Sequence, residues 1–209
     1  MRTILTVSLL ALTSQLSWAD YTFTSGGGGD IPQMNPVGLV SVGTVSGSGQ
    51  VTDMSLQLTV NGGFNGDLYA YLVAPNQTTV ATLLGTVGGN FDQVGSGYDI
   101  TLGSTGAGIN DLAQDWGTPV TGSYQPVVDL MGAFGSYLTA HGASGDWRLF
   151  LANQSNGGQS VLAGWNLTFI TTAAVPEPEQ VAAISLLSLM GLMAGSYRRW
   201  GRALGLKKL

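Results

Sequence analysis

The side chains able to do chemistry are few. The 209-residue chain has no cysteine and one histidine, His141. The lack of cysteine removes thiol nucleophiles, zinc–thiolate sites, iron–sulfur clusters and disulfide frameworks together. A serine hydrolase needs a serine beside a base that a third group orients. The base available is His141, in Thr139-Ala140-His141-Gly142, and no G-x-S-x-G elbow occurs. This pattern reads as a solvated loop histidine. The glycine stretch Gly103-Ser104-Thr105-Gly106-Ala107-Gly108 lacks the lysine of a phosphate loop and reads as a loop. Glycoside hydrolysis would need two carboxylates in divergent environments, and spacing picks out no such pair. No catalytic residue is assigned, and a non-enzymatic protein is expected.

Two binding chemistries remain. Aspartates on glycine-rich loops are hard oxygen ligands suited to calcium. Asp67 and Asp146 are weak candidates, with Asp92, Asp99, Asp111 and Asp115 between them; none lies in an EF-hand pattern. Turn capping and solubility explain the same residues without a metal, so no metal ligand is assigned and no cofactor is expected. Aromatic side chains offer the second chemistry. Tyr69, Tyr71, Trp116, Tyr124, Trp147 and Trp165 could line a sugar-binding face. Trp147 and Trp165 sit at alternating strand positions and read as core, leaving Trp116, beside Asp115 and Gly117, as the better exposed candidate.

Charge is partitioned along the chain. Arg2 opens it, Arg198, Arg199, Arg202, Lys207 and Lys208 close it, and Arg148 is the single basic side chain between. All ten Asp fall within 20–174, so that stretch carries a net of −9. Such a body repels nucleic acid, whose binding needs basic phosphate contacts.

The two ends read as addresses. Arg2, the apolar run Ile4–Leu12 and Ser17-Trp18-Ala19 before Asp20 have the three parts of a signal peptide, 1–19, cleaved between Ala19 and Asp20 by way of Sec export. Val181–Tyr197 carries no charge and as a helix would be about 25 Å long, the short end of a bilayer span. Tyr197 and Trp200 suit its interface, and the basic tail 198–209, led by the stop residues Arg198 and Arg199, belongs in the cytoplasm by the positive-inside rule. Before the span, residues 172–180 form an extended linker, since Pro176 and Pro178 around Glu177 prevent helix and strand alike. Pro176-Glu177-Pro178, a short apolar span and an arginine cluster, in that order, resemble the PEP-CTERM sorting signal. The resemblance implies processing by an exosortase of a Gram-negative, exopolysaccharide-producing cell. The chain would be held in the inner membrane first, with its body outside the cytoplasm, then reach the cell surface or matrix.

The elements between must position whatever the body binds. Ser25 to Gly29 reads as part of a flexible leader, 20–34. From Val51 onward, short strand-like runs alternate with turns. Met54, Leu56, Leu58 and Val60 have strand period, and Asp67–Ala74, apolar almost throughout, suits a strand covered on both sides. Further strands are expected at Thr78–Leu84, Tyr98–Leu102, around Trp147, Leu149 and Leu151, and along Val161, Ala163, Trp165, Leu167 and Phe169. No helix is expected before 181, beyond one turn within Val127–Tyr137. The fold class is all-β, a jelly-roll-like sandwich over 35–171, with an N-terminal signal peptide and one C-terminal transmembrane helix.

Phe64-Asn65-Gly66-Asp67-Leu68, with Leu72-Val73-Ala74-Pro75 and Thr78-Thr79, resembles the GDL…L-x-x-P-x-G-T strand of the P/Homo B domain of proprotein convertases. Ser144-Gly145-Asp146-Trp147-Arg148-Leu149 resembles that domain's G-x-W-x-L strand, and Asn153, Gly158, Leu162, Trp165, Leu167 and Phe169 follow its ending. The match spans roughly 35–170. Phe64 lies near where a histidine often precedes GDL, and Asn76-Gln77 stands where Pro-Ser-Gly is usual. The resemblance implies the sandwich; without a catalytic constellation it does not carry proteolysis with it. The expected function is an exported surface or matrix protein whose sandwich contacts a polymer, exopolysaccharide, or a surface protein. The alternative is an accessory module of a separate subtilisin-like protease. In cells lacking exosortase, fractionation is expected to leave the unprocessed chain in the inner membrane; a mature form unchanged in size and location would overturn the sorting assignment.

Overall fold

A computed structural model describes residues 21–85, 87, 96–112 and 119–172. The signal segment with Ala19 and Asp20, the motif Pro176-Glu177-Pro178, the span 181–197, and Arg198 and Arg199 lie outside the described residues. No helix among the described residues is long and apolar enough to cross a membrane.

The chain forms two five-stranded sheets, as an all-β sandwich requires. The first contains β1 (Tyr21–Thr24), β3 (Leu39–Gly47), β9 (Gly145–Asn153), β5 (Leu68–Val73) and β6 (Val80–Gly85), in that order and antiparallel throughout. The second contains β2 (Gly29–Ile31), β10 (Ser160–Thr172), β4 (Gln50–Asn61), β7 (Gly97–Gly108) and β8 (Val120–Gln125). Here β8 runs parallel to β7, while the other pairs are antiparallel.

Strand period builds the core. On β4, Met54, Leu56, Leu58 and Val60 turn inward against Trp165, Leu167 and Phe169 of β10, and against Tyr98, Ile100 and Leu102 of β7. From the other sheet come Leu68, Ala70 and Leu72 of β5 and Trp147, Leu149 and Leu151 of β9, each fully buried. Rings cross the interface: Trp147 meets Phe169 at 5.8 Å, and Phe23 meets Trp165 edge-on at 4.7 Å. One polar relay also crosses it. The Trp165 indole N–H donates to Ser41 Oγ at 2.9 Å, and that hydroxyl donates to the Gly27 carbonyl at 2.9 Å. Both polar side chains are thereby satisfied inside the core.

Several expectations are corrected. Residues 20–34 are not a free leader, because β1 and β2 lie within 21–31 and belong to different sheets. The glycines between them allow close approach: a Cβ on Gly26 would strike the Val42 carbonyl, and one on Gly28 the Leu162 carbonyl. Gly103–Gly108 is not a loop but the second half of β7. On β10 a bulge between Leu162 and Gly164 shifts the inward set, so that Leu162 is buried while Val161 and Ala163 turn outward. Asp67–Ala74 is not covered on both sides; Tyr69, Tyr71 and Val73 are partly exposed on the outer face.

The helix is the largest departure. Leu130–His141 forms α1, with Leu130, Phe134 and Leu138 buried along one stripe. The Asp129 carboxylate caps its start by accepting from the Gly132 N–H, and Gly142, at φ 71°, closes it by donating to the Leu138 carbonyl at 2.8 Å. Phe134 meets Trp147 edge-on at 5.1 Å, so the helix closes the core over that indole.

Close packing at the first crossing makes a direct test. Gly26→Ala is expected to cost about 1–3 kcal/mol through overpacking, which for a domain of this size lowers Tm by roughly 2–4 °C per kcal/mol. Gly27→Ala, whose Cβ would meet nothing within 4 Å, is expected to leave Tm unchanged. Equal melting of both variants would show that the glycines act only as a linker.

Candidate functional site

The outer face of the first sheet carries the most developed surface feature. Alternation sends Leu149 and Leu151 inward on β9, and so turns Arg148 and Phe150 outward. On β5, burial of Leu68, Ala70 and Leu72 turns Tyr69, Tyr71 and Val73 the same way. The register sets Tyr71 directly opposite Phe150 and Tyr69 opposite Ala152. The Tyr71 and Phe150 rings stack with centroids 4.4 Å apart and planes within 16°. Tyr69 stands edge-on to Tyr71 at 6.0 Å, and its hydroxyl lies 3.5 Å from Thr82 Oγ1 on β6.

These rings floor an open groove of about 540 Å3. Its wall is the turn before β3, with Met34, Asn35 and Pro36, and its rim includes Gln154. The wall is tied to β9 by the Met34 N–H, which donates to the Asn153 carbonyl at 2.9 Å. Asn35 then folds the turn, its Oδ1 accepting from the Val37 N–H at 2.9 Å. Met34 is 67% exposed and holds φ at 47°, a left-handed conformation uncommon for a residue with a side chain. Asn153 beneath is buried, accepting from the Ser155 N–H and donating to the Gly158 carbonyl. The groove thus combines an aromatic floor with amide donors and acceptors at its edge, and no carboxylate lines it among the described residues.

The remaining expected residues fall elsewhere. Trp147 and Trp165 are core, as their spacing suggested, and Tyr124 lies on β8 in the other sheet with its hydroxyl donating to the Thr121 carbonyl at 2.9 Å. Trp116 and its neighbour Asp115, like Asp92, lie outside the described residues. Phe150 and the Met34–Pro36 wall were not singled out from sequence. Phe150 sits beside the core residues Leu149 and Leu151, and only the strand's alternation separates it from them.

Asp67 and Asp146 do not share a site. Asp67 is fully buried in the single 3₁₀ turn that leads into β5, beside the end of β9; its carbonyl accepts from the Gln154 N–H at 2.8 Å. Asp146 is exposed at the other end of β9, where Oδ1 accepts from Thr44 Oγ1 at 2.8 Å. Seven residues of strand separate them by about 23 Å. No cluster of three metal-ligating side chains occurs among the described residues.

His141 is not in a loop, but is the last residue of α1. It is exposed and stacks on Tyr137 at 4.9 Å, with Nδ1 3.2 Å from the Tyr137 carbonyl. Burial raises the Tyr137 hydroxyl above the ordinary tyrosine range. A second, smaller hollow of about 250 Å3 lies on the outer face of the other sheet, among Asp53, Ser55, Thr101, Ser104 and Thr168. There Asp53 is already engaged by the Met54 N–H and Ser104 Oγ.

No protein-family model matches the chain, and no curated protein matches it. Among solved structures, the chain is similar to the serine protease of Aeromonas sobria, at 14% identity over 73% of this chain, with a TM-score of 0.42. It is similar at the same TM-score, with 15% identity over 71% of the chain, to the complex of that protease with the chaperone ORF2. The chain covers 26% of the neighbour's length in each case.

Proposed function

We propose that the chain is an exported, non-enzymatic surface or matrix protein, delivered by a PEP-CTERM signal, whose jelly-roll-like sandwich holds a polysaccharide in the Tyr69–Tyr71–Phe150 groove. The observation that carries this reading is the stacked, partly exposed Tyr71–Phe150 pair on the outer face of the sheet. Stacking uses one face of each ring, and the electron-rich faces turned away from the stack can attract the weakly positive C–H bonds on one side of a pyranose ring. Asn35 and Gln154 at the edge suit sugar hydroxyls, which both donate and accept. An open groove admits a chain in passage, whereas pockets for small ligands enclose most of the ligand's surface.

The wall supports the same reading. A left-handed Met34 costs conformational energy, and such outliers gather where a surface is shaped for binding. Met34 is itself held to β9 by a main-chain bond, and Gly38 closes the turn onto the Asn35 carbonyl, so the groove is preformed and binding has little ordering cost. The address signals read at either end of the sequence support export to where extracellular polymers occur.

Affinity electrophoresis of the full chain tests the reading. Migration is expected to be retarded in gels containing bacterial exopolysaccharide, and Tyr71→Ala or Phe150→Ala to weaken retention about tenfold, or about 1.4 kcal/mol. Tyr124→Ala, on the opposite sheet, should leave retention unchanged. Unretarded wild-type protein, together with capture of the chain by an immobilised subtilisin-like protease, would replace this reading with the protease-associated one.

A further inference from the structure

The same face carries the one basic side chain between Arg2 and Arg198. Arg148 is two residues from Phe150 on β9, on the same side of the strand and about 7 Å along it. Its lateral neighbours are apolar, since the register places Val42 of β3 on one flank and Val73 of β5 on the other. Val42 and Val40 beside it are both exposed. The result is a cation set in an apolar and aromatic surface within a body of net charge −9.

Two features distinguish Arg148 from an ordinary solvated arginine. Its Nε is buried and makes no hydrogen bond, and the side chain forms no ion pair among the described residues. The nearest acid along the strand, Asp146, directs Oδ1 to Thr44 instead. The buried Nε is out of a ligand's reach, so an incoming acid would meet the terminal Nη1 and Nη2 of the guanidinium. A guanidinium has a planar fork of donors matched to a carboxylate, which it can hold through two parallel bonds.

We propose that Arg148 selects acidic sugars: a residue of the polymer packs against the Tyr71–Phe150 pair, while the carboxylate of the same or the next sugar pairs with Arg148. This rests on the groove being the polysaccharide site. An acidic peptide could supply the same carboxylate, but an aromatic shelf beside the cation favours a ring over a peptide side chain. Acids beyond about 8 Å oppose this contact little at physiological salt, and Asp146, about 7 Å away along the strand, is engaged by Thr44 Oγ1.

The test is calorimetric titration of the full chain with hexagalacturonate, its fully methyl-esterified form, cellohexaose and oligoglutamate. Hexagalacturonate is expected to bind at least tenfold more tightly than its ester, with the difference shrinking as salt is raised. Arg148→Gln should bring the acid down to the ester's affinity while leaving ester binding unchanged; Arg148→Lys should keep part of the preference. Tyr71→Ala should weaken both. Equal affinity of wild-type protein for acid, ester and cellohexaose would overturn the selection by Arg148 and leave the groove as a neutral-sugar site. Tighter binding of oligoglutamate than of any sugar would also overturn it. Binding of no sugar at all would remove the polysaccharide reading itself. The acid–ester comparison on wild-type protein stands even if an arginine variant folds poorly.

Discussion

The structure depends on one constraint: β5 and β9, adjacent in the middle of the first sheet, must each bury one face against the second sheet. Leu68, Ala70 and Leu72 meet that requirement on β5, and Trp147, Leu149 and Leu151 on β9, all at zero exposure. Burying each of these leucines stabilises the fold by about 1.5–3 kcal/mol. A slip of one residue in either strand would exchange that face for Tyr69 and Tyr71, or for Arg148 and Phe150. The core residues thereby hold the aromatic shelf and the lone cation on the outer face, in one register. The candidate site is the other side of the core, and no separate element builds it.

The same logic explains how much of the fold was legible. Strands with large inward residues were readable from alternation: β4 with Met54, Leu56, Leu58 and Val60, and β9 with Trp147, Leu149 and Leu151. Strand β3 was not, since its inward positions include Ser41 and Gly43 while Val40 and Val42 face out, which reverses the usual signal. On β10 one bulge near Gly164 changed the parity of everything before it. The glycines at 26 and 28 looked like a linker because composition does not distinguish flexibility from close packing. Both uses require the absence of a side chain, and only the carbonyls of Val42 and Leu162 decide between them.

The helix and the site were each legible in part. Asp129, the stripe Leu130, Phe134 and Leu138, and Gly142 are the cap, core face and stop of α1. Gly132 and Gly135 lower helix propensity and hide that pattern, so burial against Trp147 decides the outcome. For the site, Tyr69 and Tyr71 were among the aromatic candidates, but their partner Phe150 and their wall at Met34–Pro36 come from segments distant in sequence. No local spacing links residues 34, 71 and 150; the β5–β9 register and the Met34–Asn153 main-chain bond do. Arg148 stood out in the charge count alone. Its meaning comes from its neighbours, because a single cation between two valines beside stacked rings differs from one on a charged surface.

The polysaccharide assignment rests on the outer face of the first sheet, and ring NMR reads that face directly. Titration of the full chain, labelled at tyrosine and phenylalanine, with exopolysaccharide is expected to shift and broaden the ring signals of Tyr69, Tyr71 and Phe150. The signals of Tyr124, and of Phe134 buried beneath α1, should stay fixed. Shifts centred on Tyr124, or none at Tyr71 and Phe150 under saturating polymer, would contradict the account.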